Sequence, residues 1–228
     1  MEIADWLERL LPEARGRGEE DGCWVAHMKA RTPAHHPPLY WLGRALDAVE
    51  EAGAIDAMRG WLLAAHGAAS CAGWSEQDQR AQDVLTAACA LAWAAEHLGP
   101  PEPVEVNGGE RLLVRVPSLD VSLAPRRLWA PPGPARMPPM PPTPAPQTLL
   151  SQLSAYAAEA ASDLAPARGR ILYVDLNLHR GPYARDIGYQ RELTEPIRTS
   201  VKHHGADQRL GWVLTRPFEW GVPIEVWY

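Results

Sequence analysis

Residues 100–129, PPEPVEVNGGERLLVRVPSLDVSLAPRRLW, decide the fold class. Asn107-Gly108 stands between Val104–Val106 and Leu112–Val116, and an Asn-Gly pair flanked by β-branched runs is the strongest short-range hairpin signal. Two or three antiparallel strands are expected from Val104 to about Trp129. Upstream the periodicity is helical and downstream it alternates, which makes the chain α+β: a helical N-terminal part followed by a mixed sheet with flanking helices.

Working backwards, Val84, Ala88, Leu91, Ala95 and Leu98 form a long stripe that stops at Gly99-Pro100, with Ser75 and Asp78 resembling a helix start. Leu39, Leu42, Leu46 and Val49, then Ile55, Met58, Leu62 and Ala65, predict a helical hairpin across Gly53. Ile3, Trp6, Leu7, Leu10 and Leu11 place one apolar stripe on a first helix.

Working forwards, residues 131–146 hold nine prolines in sixteen positions and exclude helix or central strand. An amphipathic helix follows from Leu149 to Leu164. RILYVDLNLH, 170–179, then reads as a strand whose continuous apolar start predicts burial on both faces. Leu193, Ile197 and Val201 predict a short helix, and LGWVLTRP and VPIEVWY two closing strands. No internal repeat occurs. The organisation is an acidic, Trp-rich helical region, 1–99, and an α/β region, 100–228, interrupted by the Pro-rich connection.

Composition narrows the function classes. The 228 residues are 46% apolar, enough for a proper core, and carry 22 bases against 28 acids, a net charge of −6 that disfavours a general nucleic-acid binder. Residues 1–99 hold 8 bases and 15 acids and residues 100–228 hold 14 and 13, so an anion would meet the second part. Cys23, Cys71 and Cys89 form no CxxC pair and fit reduced thiols, Cys89 as inert core, in a cytoplasmic protein. The acids of MEIADWLERLL do not fit an export signal, and the apolar runs are too short for a membrane span. Twenty Arg against only Lys29 and Lys202, with abundant Ala and Pro, point to a GC-rich genome and hence a bacterial source.

Candidate chemistry is sparse. From Ser75 to His179 the order α–β–β–β–α–β resembles, in coarse topology, the restriction-endonuclease-like nucleases, whose metal site places an Asp and a Glu-x-Lys on neighbouring strands. The lysine is missing, because neither Lys29 nor Lys202 lies in the meander. What the resemblance implies is Mg²⁺ or Mn²⁺ held by Glu105, Asp120 and Asp175, with Glu110 also in the neighbourhood. Set against this, turn and strand-edge acids ordinarily face solvent.

Asp175 interrupts an apolar strand where an unpaired carboxylate is expensive. It is paired with an Arg such as Arg170 or Arg180, lies at the sheet edge, or is functional. Directly after it, HRGPYARDIGYQREL, 179–193, brings Arg180, Tyr183, Arg185 and Arg191 into one irregular stretch suited to clamping an anion or stacking a base. Asp186 and Glu192 dilute its charge, so a solvated, ion-paired loop is the plainer reading. The pairs His35-His36 and His203-His204 offer at most one easy metal ligand each, and no zinc spacing, GxSxG, P-loop or GxGxxG occurs; the metal content is left open.

Ten tryptophans against one phenylalanine mark the chain. Trp41 and Trp93 stand beside the main stripes, as either a second buried face or an interface. The leading functional expectation is a non-catalytic protein-interaction or adaptor module that requires no cofactor and has another protein as partner. A metal-dependent nuclease or phosphodiesterase is the alternative, and a nucleotide or small-anion sensor the second alternative.

Overall fold

The computed structural model describes residues 3–12, 16, 37–66, 76–106, 111–129, 146–177, 199–200, 202–203, 209–215 and 225–227. Its elements are α1 (Ile3–Leu10), α2 (Pro37–Glu51), α3 (Ile55–His66), α4 (Glu76–His97), β1 (Glu102–Val106), β2 (Arg111–Val116), β3 (Val121–Trp129), α5 (Pro146–Asp163), β4 (Gly169–Asn177), β5 (Gly211–Thr215) and β6 (Glu225–Trp227). The fold is α+β. The expected helix over 193–201 falls mostly outside the described residues.

The six strands lie in sequence order, β1-β2-β3-β4-β5-β6. β1, β2 and β3 form the expected antiparallel meander, β3, β4 and β5 are parallel, and β6 returns antiparallel to β5. A parallel neighbour needs a crossover, which α5 supplies between β3 and β4.

Two cores result from strand alternation. On one face Val114, Val116, Leu123, Ile171, Tyr173 and Val213 meet α4, behind which α1, α2 and α3 form an outer layer. On the other face Ala124, Leu128, Leu172, Val174 and Leu176 meet α5. Helix α4 is therefore a middle layer: every residue from Val84 to Ala94 is buried. The first core runs without a break from residues before position 99 to residues after it.

Local chemistry explains the boundaries. Gly53, at φ +72°, turns the chain out of α2 and allows Ala54 N–H to donate to Val49 O at 3.0 Å, a left-handed helix ending that glycine reaches without steric cost. Trp6 Nε1 donates to Asp47 Oδ1 at 2.9 Å and Arg9 pairs with Glu50, fastening α1 to α2. Pro125 sits inside β3, a strand with neighbours on both sides, which the lost N–H should forbid. The ladder to β2 ends at the Val114–Leu123 pair, so Pro125 meets no β2 partner that needs its donor. Beyond that point side chains serve the β3 carbonyls: Arg126 Nη1 donates to Pro125 O at 2.8 Å, and Tyr156 OH of α5 donates to Arg127 O at 2.9 Å.

Candidate functional site

The parallel strands bring Arg127 of β3, Asp175 of β4 and Thr215 of β5 into one row. The row lies two residues before the ends of β3 and β4 and at the last residue of β5. All three side chains are buried on the face covered by α4, where the alternation otherwise places apolar residues.

Arg127 Nη2 lies 3.4 Å from Asp175 Oδ2, and Arg127 Nη1 donates to Gln82 O of α4 at 3.2 Å. Thr86 Oγ1, also on α4, stands 3.3 Å from Asp175 Oδ2 and 3.2 Å from Gln82 O. Thr215 Oγ1 donates to Tyr173 OH at 3.3 Å. Cys89 adjoins the group, and burial, reinforced by the Asp175 charge, pushes its thiol well up. Burial likewise pushes the Tyr173 phenol well up. A buried charge pair hydrogen-bonded to α4 is thus a polar centre within the apolar core.

Among the described residues Asp175 pairs with Arg127, and not with Arg170. Arg170 turns instead to the end of α5, donating from Nη2 to Ala165 O at 2.8 Å and from Nε to Ala167 O at 3.2 Å. Such a cation at a helix C-terminus satisfies carbonyls that have no intrahelical partner. Arg180 lies outside the described residues.

The three carboxylates considered for metal catalysis do not converge. Asp120 precedes β3 in a left-handed conformation, φ +50°, and accepts the Arg168 N–H at 3.3 Å. It sits at the opposite end of the strands from Asp175, roughly 20 Å away at ~3.3 Å per residue. Glu105 lies on the edge strand β1, three strands from Asp175 or about 14 Å at ~4.8 Å per strand, and accepts the Trp61 Nε1–H. Among the described residues no three His, Cys, Asp or Glu side chains group as metal ligands. Arg180, Tyr183, Arg185 and Arg191 lie outside the described residues.

The tryptophans answer a different need. Trp6, Trp61, Trp93 and Trp212 are buried. Trp93 belongs to a second buried face of α4, its ring stacked on His97 at 5.0 Å between centroids and 6.4 Å from Tyr173. Trp41 is half-buried, with the Arg44 guanidinium 5.7 Å over its ring. Trp6, Trp61 and Trp93 therefore fill the core, and the partner surface expected of the helical tryptophans is not found among these three.

A second polar group seats α5. Asp163 accepts two bonds from Arg111 Nη1, at 2.8 and 2.9 Å, and one from Arg126 Nη2 at 3.1 Å, while Glu159 pairs with Arg126 at 3.6 Å. These contacts fill the opening where β2 and β3 part.

Helices α4 and α5 share an orientation. The first half of α4 reaches the Arg127–Asp175 row while its end lies near Val116 and Ser118, and the end of α5 feeds the start of β4. Both helices therefore run against β3–β5 and direct their N-termini to the edge where those strands finish. Connections of 16, 33 and 9 residues, 130–145, 178–210 and 216–224, leave β3, β4 and β5 at that edge. Comparison with protein-family models finds no match, and comparisons with curated proteins and with solved structures find none either.

Proposed function

We propose that the chain is a non-catalytic protein-interaction module of a bacterial cytoplasmic system, whose partner surface is the edge where β3, β4 and β5 end. The observation that carries this reading is the delivery of three connections to one edge of a rigid sheet, the arrangement on which recognition loops are ordinarily mounted. The connection after β4 begins with the Arg180–Arg191 stretch, whose Arg and Tyr side chains suit a protein interface. The acids offered for catalysis have structural duties: Asp175 with Arg127, Glu105 with Trp61 and Asp120 with the Arg168 amide. No helix among the described residues is long and apolar enough to cross a membrane.

Native mass spectrometry of the protein isolated from its own host at mild salt tests the reading. The expected result is a stoichiometric complex with one other protein, reconstituted from purified components and lost on combining Arg180→Ala, Arg185→Ala and Arg191→Ala. An unaccompanied chain, or a complex indifferent to those substitutions, overturns it.

One observation favours a second reading, a nucleotide or small-anion sensor. Two helices from opposite faces point their N-termini at the same edge, and helix N-termini attract anions. A nucleotide that raises the melting temperature of the wild-type protein but not of Arg185→Ala would decide for the sensor.

A further inference from the structure

We infer that Arg127 and Asp175 are positioning residues for the recognition edge, locking the ends of β3, β4 and β5 to one another and to α4. The inference rests on the interaction reading above for its purpose, but not for its physical content.

Location is the first argument. On the face under α4, the inward positions behind the row are apolar or aromatic: Leu123 on β3, Ile171 and Tyr173 on β4, Val213 on β5. The charged pair stands in the row that ends β5, two residues before the ends of β3 and β4, and the Tyr173 hydroxyl reaches it from the row behind. A pair needed merely to fill the core could stand in any row.

Attachment is the second. Around this row each element is held by a directional contact. Arg127 binds Gln82 O of α4 through its side chain, while its carbonyl accepts from Tyr156 of α5 on the opposite face. Asp175 meets Arg127 and Thr86. Thr215 Oγ1 lies 3.3 Å from Tyr173 OH and 3.4 Å from Val174 O, both on β4, and its one proton serves either. Three strands and both covering helices are therefore fastened at one level, β5 through β4. Apolar packing can slide or repack at little cost, whereas these bonds are lost on a small displacement.

Energetics is the third. Two desolvated charges repay little net stability, and a well-packed apolar pair of similar volume is commonly as stable. What such a pair does supply is a single arrangement, and here the arrangement fixed is that of three exit points. A surface assembled from separate connections recognises a partner well only if its mounting points are held in place.

The test compares wild type with the double variant R127M/D175L by thermal unfolding and by hydrogen exchange read residue by residue. The expected result is a melting temperature within a few degrees of wild type. Exchange should nevertheless quicken at least tenfold at residues 82–86, 126–129, 175–177 and 213–215, and stay unchanged at 88–94 and 169–173. Unchanged exchange at the strand ends overturns the inference. So does a lower melting temperature with exchange quickened evenly, which would make the pair a stability element. Should the double variant not fold, Asp175→Asn, which keeps the side-chain shape and removes the charge, is read by where exchange quickens alone, because the surviving Arg127 charge lowers its melting temperature in either case. Neither measurement needs a partner, so a chain that proves unaccompanied in its host sinks the interaction reading and leaves this result standing.

Discussion

Arg127 Nη2 lies 3.4 Å from Asp175 Oδ2, and both side chains are about 1% exposed. Neither ion has water to fall back on, so each relies on the other to balance its charge. Asp175→Ala or Arg127→Met alone should cost about 3–5 kcal/mol, since the surviving charge remains buried. In a chain of this size that lowers the melting temperature by roughly 6–20 °C, at about 2–4 °C per kcal/mol. Differential scanning calorimetry checks it, and a single variant that melts like wild type contradicts the pairing.

Gly169 opens β4 against Val121. A Cβ at position 169 would stand 2.7 Å from Val121 Cγ2, and the branched side chain has little freedom to give way. Gly169→Ala should therefore cost about 1–3 kcal/mol as an overpacked contact. Adding Val121→Ala should recover most of that loss in a urea-unfolding double-mutant cycle. Additive penalties would show that the two residues do not meet.

How far the fold could be read in advance follows from where each element lies. The hairpin at Asn107-Gly108, the crossover helix and the strand through Asp175 were legible because turn chemistry and periodicity are local signals. Helix α4 was placed correctly, but its stripe of Val84, Ala88, Leu91 and Ala95 understated its burial, because a middle-layer helix is buried all round and carries no contrasting polar face. Asp175 announced itself by interrupting an apolar run. Arg127 did not, because its basic neighbour Arg126 made the pair look like solvated surface. The missing signal was alternation: counting inward positions from Leu123 along β3 puts Arg127 on the core side and Arg126 on the other. Even so, pairing Arg127 with Asp175 needs the register between two strands separated by a Pro-rich stretch and a helix, and register is a tertiary property.

Tyr156 should give the protein an alkaline limit. Burial, then the Asp83 charge, push its phenol from the ordinary 10.0 up to about 12, with Arg126 pulling the other way and Glu159 adding to the rise. Between about 10 and about 12 the unfolded chain has lost this proton while the folded chain keeps it. Stability is thus full below about 10 and falls as pH climbs through that window. Urea unfolding at a series of alkaline pH values should show the decline, and Tyr156→Phe should make it shallower. The same variant leaves the Arg127 carbonyl without its donor and should cost about 1–3 kcal/mol at neutral pH. Equal slopes for the two proteins would exclude Tyr156 as a source.

Cys89 should be silent towards thiol reagents in the folded protein. It is buried, and its thiol is held well above the ordinary range, so little thiolate exists to react. In a chain carrying Cys23→Ser and Cys71→Ser, labelling should be negligible in native buffer and should rise with urea along the unfolding curve. Fast labelling without denaturant would mean that α4 opens locally, away from the Arg127–Asp175 row.

The strands occupy the sheet in the order in which the ribosome makes them. Helix α4 emerges before any strand and offers an apolar bed for the meander, and each later strand finds its neighbour already synthesised. No strand waits for a later one to be inserted beside it, so the nascent sheet grows at one side only. The vulnerable edge at any moment is the newest strand, and the interval of greatest exposure falls while the 33 residues between β4 and β5 are being translated, when β4 stands bare on one side.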